Sequence, residues 1–500
     1  MKIGLLGRFS SDSRLWMFSI FCFGFLIRGL PELLSGPYPV GYDLLTGYAP
    51  SLLALPEVYP LTMGWLWSSL SIFILWFFWK ISQIDLFLFL KIAGPIFYGL
   101  FVCGFYYFLL KGLKWDRKKS FLTSIVFLLQ PAVLRLGWDQ LRLMLGMVFL
   151  FVLLAKTECN LVAGAEKKPL LVAGLSVLLV LSQQLTAVLF FVVTLFQIAK
   201  LRFAQQRVSA RVLFVLFPSA AVFIVQLYLS YLTNLGYSPH YVPIYLPTGT
   251  GLFAFTNYFI GDPRFIGGNY FTILAYVANL SLYVIVPLIP LAVKGYYRDR
   301  VLTPILCWLL VTSYSVVVFP WFAISYYWFW LLLLPIPLTV YAAHALKKDG
   351  FLPNERLTKQ ALAGFALLGI VGVAYASSII TVGYPFAYTY MPKGLVESCV
   401  RFEDIANVKE AFVWVNSNVP VGSIVVVPER LQGFASMYLR SDIKINIAPP
   451  PLTLNQVNEL LEDEYTRFYA VYFIDKVDGS NNPIRLLLSF SSIGIYAVQF

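Results

Sequence analysis

Residues 111–119 read KGLKWDRKK, five basic residues between two hydrophobic runs. Short loops rich in Lys and Arg stay on the cytoplasmic side of a membrane, so this stretch predicts an inner loop. The runs on either side, 91–110 and 120–136, are apolar and about the length that crosses a bilayer. Because successive spans alternate in direction, this one loop decides which face every other loop occupies.

The other basic residues follow the same alternation. They concentrate in loops at 156–168, 200–211, 294–300 and 347–359. The intervening loops are poor in basic residues and carry chiefly Lys80 and Arg264. This pattern predicts a multi-pass protein of the cell (plasma) membrane, with a cytoplasmic N-terminus and a C-terminus outside.

Composition also indicates an integral membrane protein. Hydrophobic residues make up 59% of the 500-residue chain and charged residues 12%, whereas soluble domains carry about 25% charge. The net charge of +12 would suggest nucleic-acid binding in a soluble protein. Here the basic residues orient the chain in the membrane, so we expect membrane lipid and no nucleic acid as a partner.

Eleven spans are predicted from the apolar runs. They cover 15–33, 91–110, 120–136, 141–156, 170–182, 184–200, 211–232, 271–293, 303–319, 322–343 and 360–382. The run 170–200 is split at Gln183, because one long helix would put the basic stretches at its two ends on opposite faces. The apolar segment 61–79 would invert every later loop if it were a span. It therefore predicts an aromatic-rich helix at the outer interface.

Two long outer loops result, at 34–90 and 233–270, and the chain after residue 394 has a different character. Strand-like runs lie at 424–427, 443–447, 468–474 and 493–500. Helix-like spacing of apolar residues occurs between them, at Ile405, Val408, Phe412 and Val415 and again at Leu454, Val457 and Leu461. The alternation predicts an extracytoplasmic α/β domain at 395–500, following a transmembrane domain at 1–394.

The first outer loop contains Asp43 in the stretch SGPYPVGYDLLTGYAP, residues 35–50. A carboxyl group shielded by aromatic side chains at the membrane surface has a raised proton affinity and can act as a general base. The alternative is a solvated carboxylate that hydrogen-bonds its own turn. The residues alone leave both interpretations open.

The second outer turn reads RLGWDQLRLMLG, residues 135–146. In one interpretation Asp139 is only the N-cap of the next helix, and Arg142 extends to the membrane interface. In the other, Arg142 and the helix N-terminus receive a lipid phosphate, with Arg135 one turn away. The loop 233–270 contains His240 and Arg264, and its stretch TNLGYSPHYVPIYLPTGTG suits either a flap over a sugar site or an interfacial loop.

These stretches resemble the GT-C superfamily of membrane glycosyltransferases, which includes oligosaccharyltransferase catalytic subunits, protein mannosyltransferases and aminoarabinose transferases. The similarity is carried by GYDLLTGYAP (41–50), RLGWDQLRLMLG (135–146) and EAFVWVNSNVPVGSIVVVP (410–428), and is greatest to archaeal members. It implies a mostly α, polytopic helical bundle of about eleven spans with an extracytoplasmic α/β domain.

The resemblance implies inverting transfer of a sugar from a polyprenyl-phosphate-linked donor to a lipid, glycan or protein acceptor. Asp43 falls on the catalytic carboxylate of the superfamily and Asp139 on its second acidic motif. Arg142, with Arg135 or Arg264, would stabilise the departing lipid phosphate. The further substrate-binding candidates are Tyr42 and His240.

The second acidic motif departs from the metal-dependent branch, since Trp138–Leu141 contains one carboxylate instead of two. We therefore expect no metal. If a divalent ion is used, Mg or Mn held by Asp43 and Asp139 is the expectation. No WWDYG-type sequence is present, which argues against N-glycan transfer. Two other classes stay open: a lipid or sugar transporter or flippase, and a non-catalytic GT-C-like assembly subunit.

Overall fold

The computed structural model describes residues 13–34, 37–41, 43–58, 70–161, 168–205, 207–208, 210–232, 333, 335–345, 367, 402–428, 431–447, 468–474 and 484–498. The chain divides into two compact units. The first is built from residues 1–34, 58–78 and 92–396. The second combines 35–57 and 79–91 with 397–500.

Helices make up most of the described chain. In order they are α1 (Ser13–Leu34), α2 (Ala49–Val58), α3 (Leu70–Ser82), α4 (Leu86–Tyr107), α5 (Arg117–Leu128), α6 (Pro131–Asp139), α7 (Leu141–Leu161), α8 (Pro169–Ser182), α9 (Gln184–Phe203), α10 (Ala210–Leu232), α11 (Pro335–Ala345), α12 (Phe402–Asn418) and α13 (Gln432–Tyr438), with π-helices at Leu44–Tyr48 and Phe108–Gly112. Among the described residues, three helical stretches are long and apolar enough to cross a membrane: Ser13–Leu33, Leu86–Gly112 and Thr186–Phe203.

The apolar run 170–200 breaks at the predicted residue. Helix α8 ends at Ser182, Gln183 is extended (φ −163°, ψ 121°), and α9 begins at Gln184. The predicted total of eleven spans stays a prediction. The runs 271–293 and 303–319, nearly all of 360–382 and much of 322–343 lie outside the described residues.

The run 120–136 is not the single helix that the sequence predicted. Helix α5 ends at Leu128, Gln130 is extended (φ −73°, ψ 135°), and α6 begins at Pro131. Proline has no N–H and disfavours helical geometry in the residue before it, so the helix stops and restarts. The Tyr98 hydroxyl donates a 2.5 Å hydrogen bond to the freed Leu128 carbonyl.

The apolar helix of the first outer loop is described from Leu70 to Ser82, so it ends three residues beyond the predicted limit of 79. The side chain of Asp85 then accepts hydrogen bonds from the amides of Phe87 (2.9 Å) and Leu88 (3.0 Å). This cap starts α4 at Leu86 instead of the predicted residue 91. Residues 59–69 lie outside the described part of the chain.

Helices α1 and α4 approach each other backbone to backbone. A Cβ atom on Gly24 would lie 3.1 Å from Cα of Gly99, and one on Gly99 would lie 2.8 Å from the Phe21 ring. Small residues permit this kind of close packing between helices in a membrane, where the hydrophobic effect does not drive association.

The second unit contains a five-stranded sheet. Its strands are β1 (Ile424–Val427), β2 (Lys444–Ile447), β3 (Phe468–Phe473), β4 (Ile484–Phe490) and β5 (Ile493–Val498). The spatial order is β2-β1-β3-β5-β4. Strand β1 pairs in parallel with β2 and β3, and the β3–β5 and β5–β4 pairs are antiparallel.

Helix α12 supplies one side of the core of this unit. Its buried residues are Ile405, Val408, Phe412 and Val415, which pack in one cluster with Val425 and Val427 of β1 and Val471 of β3. The Arg440 guanidinium donates to the carbonyls of Asn416 (2.6 Å) and Val419 (3.0 Å) at the end of α12. These bonds satisfy carbonyls that have no partner within the helix.

We expect Gly99→Ala to lower the apparent melting temperature of the purified protein in detergent. The added methyl group must displace both the Phe21 ring and its carbonyl oxygen, 3.0 Å from the new Cβ, and overpacking of this kind costs about 1–3 kcal/mol. Gly174→Ala in α8 is the matched control, because its Cβ would meet nothing within 4 Å. An equal loss in both variants would contradict close packing of α1 on α4.

Candidate functional site

Asp43 lies in the second unit at the start of the π-helix Leu44–Tyr48. Its backbone is helical (φ −66°, ψ −23°) and its side chain is half-buried. The carboxylate does not cap the turn that follows, and its role as a general base stays a prediction. π-Helical turns are rare and occur frequently at functional sites.

The segment that carries Asp43 is held by the core of the α/β fold. Leu45 is only 4% exposed and belongs to the same buried cluster as Phe412 of α12 and Phe434 of α13. The sequence placed residues 35–57 in the domain 1–394; in the structure they pack with residues 397–500. An apolar residue two positions from Asp43 thus fixes the backbone of the candidate base.

Aromatic side chains from residues 35–57 and 79–91 also pack against the cluster that contains Leu45. Tyr38 and Phe87 pack against the same cluster, and their rings meet edge to face at 5.3 Å. The Lys91 ammonium donates to the Tyr38 carbonyl at 3.5 Å. Residues 35–57 and 79–91 are therefore tied to each other as well as to the sheet.

Tyr438, the last residue of α13, has a buried hydroxyl with no hydrogen-bond partner among the described residues. Burial raises the pKa of Tyr438 well above its usual value, and the negative charges of Tyr38 and Asp85 raise it further. Burial and Glu410 likewise raise the pKa of Tyr38. Tyr438 and Tyr38 therefore keep their protons to a more alkaline pH than a solvated tyrosine does.

The second outer turn lies in the first unit and is very short. Asp139 is the last residue of α6, Gln140 alone separates the helices (φ −96°, ψ 51°), and α7 begins at Leu141. The Gln140 carbonyl accepts from the Met144 amide at 2.9 Å. Gln140 therefore directly precedes α7; the N-cap interpretation of Asp139 stays a prediction, because its side chain lies outside the described part of the chain.

Arg142 occupies the first turn of α7 and is half-buried. Arg135 lies one helical turn before Asp139 on α6. The side chains of Arg135 and Asp139, and all of Tyr42, His240 and Arg264, fall outside what the structure describes.

Arg28 of α1 is a residue that the sequence did not identify as part of this turn. It is fully buried. Its Nε donates to the Gly137 carbonyl at 2.8 Å and its Nη2 to the Trp138 carbonyl at 3.2 Å. Its Nη1 forms a 2.6 Å ion pair with Glu32. An Arg and a Glu spaced i, i+4 inside an apolar span was the available signal.

One glycine leaves room for this guanidinium, and a second leaves room for the ring of Tyr98. A Cβ on Gly94 of α4 would lie 3.3 Å from Nη2 of Arg28. A Cβ on Gly137 would lie 2.5 Å from the ring of Tyr98. The indole N–H of Trp138 is buried and, within the described part of the chain, has no hydrogen-bond partner.

No protein-family model matches this sequence, and no curated protein matches it significantly. Solved structures do. ArnT from Cupriavidus metallidurans bound to undecaprenyl phosphate aligns with a TM-score of 0.55 at 12% identity, over 97% of this chain and 98% of ArnT. This chain has the GT-C fold.

Arabinofuranosyltransferase AftD from Mycobacteria aligns with the GT-C fold of this chain at a TM-score of 0.50 and 14% identity. The match covers 98% of this chain but only 40% of AftD, so the chain spans about two fifths of that protein's length. At such identities the likeness extends to the fold and not to individual residues.

Metal binding by this protein stays a prediction. No group of three His, Cys, Asp or Glu side chains that could hold a metal ion occurs in the described ranges. Asp43 and Asp139, the two carboxylates predicted for a divalent ion, belong to different units.

We expect Leu45→Ala to loosen the loop that carries Asp43. Removing a buried leucine side chain from a core costs about 2–5 kcal/mol, so amides in 43–58 should exchange with deuterium faster. Leu53→Ala is the matched control, because Leu53 lies on the same segment but is 45% exposed. Equal exchange in the two variants would show that Leu45 does not anchor the loop.

We expect Tyr438→Phe to change how the melting temperature depends on alkaline pH. A folded-state pKa above the unfolded value of about 10 means that the unfolded chain loses its proton first, so stability is lost as the pH rises above 10. The phenylalanine variant should lose less stability than wild type between pH 10 and 11. At pH 8 it should be at least as stable, since no described hydrogen bond is removed. An unchanged pH dependence of the melting temperature would contradict burial of the Tyr438 hydroxyl.

Proposed function

We propose that this protein is a membrane glycosyltransferase that transfers a sugar from a polyprenyl-phosphate-linked donor to an acceptor at the outer face of the membrane. The observation that carries the proposal is the end-to-end likeness to ArnT, an aminoarabinose transferase whose structure contains undecaprenyl phosphate. AftD, whose name is that of a second sugar transferase, supports the same reaction class.

Asp43 is the proposed general base. Its half-burial and its position beside a π-helix, a geometry frequent at functional sites, support this role. In the reaction it takes the proton from an acceptor hydroxyl while that oxygen forms a bond to the anomeric carbon. The bond from that carbon to the phosphate oxygen breaks at the same time, which inverts the configuration.

Arg142 is the proposed partner of the leaving lipid phosphate. It lies in the first turn of α7, where the helix dipole also favours an anion. Positive charge at this position stabilises the phosphate as its negative charge grows. Arg135 and Arg264 are further candidates for the same phosphate, Tyr42 and His240 for the substrate, and Asp139 for orienting donor or acceptor.

The proposed orientation places Asp43 and the α/β fold outside the cytoplasm. It is supported by the basic loop 111–119 between the second π-helix and α5 and by the other lysine- and arginine-rich loops that follow the same alternation. The acceptor is a lipid, a glycan or a protein on that face.

We expect Asp43→Asn to abolish sugar transfer in proteoliposomes supplied with polyprenyl-phosphate-linked sugars, because an amide cannot accept the acceptor proton. Asp85→Asn is the matched control in the same unit: asparagine keeps the capping oxygen that starts α4, so it should transfer at the wild-type rate. The readout is release of sugar from the lipid, with melting temperatures measured in parallel.

Three results would count against this proposal in different ways. Full activity of the Asp43→Asn variant would remove Asp43 as the base but leave a transferase. Transfer by no protein from any donor, with lipid movement across the bilayer, would favour a flippase. The absence of both activities would favour a non-catalytic assembly subunit.

A further inference from the structure

The buried guanidinium of Arg28 is bonded along two of its edges. Nε and Nη2 bind two successive carbonyls, those of Gly137 and Trp138, and Nη1 faces Glu32. Glu32 lies one turn further along α1 and is 3% exposed. The Arg28 guanidinium of α1 therefore binds the last turn of α6 from one side.

Only arginine can make this arrangement. Its five N–H donors lie in one plane at fixed angles, whereas lysine presents a compact ammonium on a flexible chain. A lysine at position 28 could bind one carbonyl or the Glu32 carboxylate, but its single nitrogen could not hold both carbonyls with the same geometry.

Stability alone does not explain a buried ion pair at this place. Removing charges from water is expensive, and well-packed apolar residues of similar volume often stabilise a protein as well or better. What the Arg28–Glu32 pair adds is direction, because the bonds to Gly137 and Trp138 fix the rotation and height of the end of α6.

The consequence for the turn follows from its length. Asp139 is the residue directly after Trp138, and Gln140 is the only residue between α6 and α7. With so short a connection, a shift of the α6 end moves Asp139 and the first turn of α7, which carries Arg142. The buried indole N–H of Trp138, which has no hydrogen-bond partner among the described residues, is a further donor at this turn. Buried donors without partners in native proteins call for an explanation such as a ligand.

We propose that Arg28 is a positioning residue that, by binding the Gly137 and Trp138 carbonyls at the end of α6, sets the place of Asp139 and Arg142 for lipid-phosphate binding and transfer. This inference rests on the proposed function for its catalytic consequence. The statement that Arg28 fixes the α6–α7 turn does not depend on the proposed function.

The test compares Arg28→Lys with the double variant Arg28→Met/Glu32→Met. The double variant removes both charges together, so no uncompensated carboxylate is left buried and folding is expected to survive. Arg440→Met is the control, because Arg440 also binds carbonyls at a helix end, that of α12, but lies in the other unit.

Three quantities are measured on the full-length protein: deuterium exchange of the Gln140 amide, binding of undecaprenyl phosphate, and kcat and KM for transfer. The Gln140 amide donates to the Leu136 carbonyl at 3.0 Å, so its exchange reports on the end of α6. We expect faster exchange in the double variant and in Arg28→Lys. Displacement of a catalytic group by about 1 Å costs up to about 100-fold in rate, so kcat should fall 10- to 100-fold per folded molecule in both. Arg440→Met should change none of these values.

A purely structural role would lower the amount of folded protein and leave kcat and the Gln140 exchange unchanged per folded molecule, which would overturn the inference. So would recovery of wild-type kcat in Arg28→Lys. If wild type transfers no sugar, the proposed function fails, but the exchange and undecaprenyl phosphate binding still test Arg28. Conversely, Asp43→Asn should lose transfer while keeping wild-type exchange at Gln140.

Discussion

One buried cation determines the geometry of the first unit around the turn between α6 and α7. Arg28 lies where α1, α4 and α6 meet, with Gly94 leaving room for its guanidinium and Glu32 balancing its charge. A helix of nine residues such as α6 has few internal hydrogen bonds and cannot hold its own position. Its C-terminal carbonyls need outside partners, and Arg28 provides them. The path of the chain from the break at Gln130 to the start of α7 depends on that contact.

In the second unit, apolar burial holds the loop segments in place. A π-helix and its neighbours from the first outer loop cover the α/β core through Leu45, Tyr38 and Phe87. The loop has no other described sheet or bundle of its own to bury these side chains against. Its order therefore comes from residues far along the chain. A catalytic carboxylate on such a loop would gain a rigid backbone without belonging to a regular element, which is a common way to place functional residues.

Local signals predicted more of this protein than long-range ones did. Periodicity located the buried face of α12, and a polar break located the end of α8 at Ser182, since both depend only on neighbouring residues. The GT-C resemblance is confirmed as a fold.

Strand β4 escaped prediction because Arg485 to Ser489 are all exposed, so the edge strand shows no alternation of buried and exposed positions. Leu45 escaped because its partners lie more than a hundred residues away in the sequence, and no local pattern records such contacts. The i, i+4 pair of Arg28 and Glu32 was a local signal, but the contacts of Arg28 with Gly137 and Trp138, 109 and 110 residues away, were not. The roles of Asp139 and Arg135 stay predictions, because their side chains lie outside the described part of the chain.

The participation of Leu45 in the α/β core has a practical meaning for dissecting the protein. A recombinant fragment cut near residue 395, as the change in sequence character would suggest, would lack the three side chains that cover one side of its core. Such a fragment would present an uncovered apolar surface to water and would tend to self-associate. A soluble version of this fold needs residues 35–57 and 79–91 grafted onto it, and chimaeras between relatives should exchange these loops together with the tail.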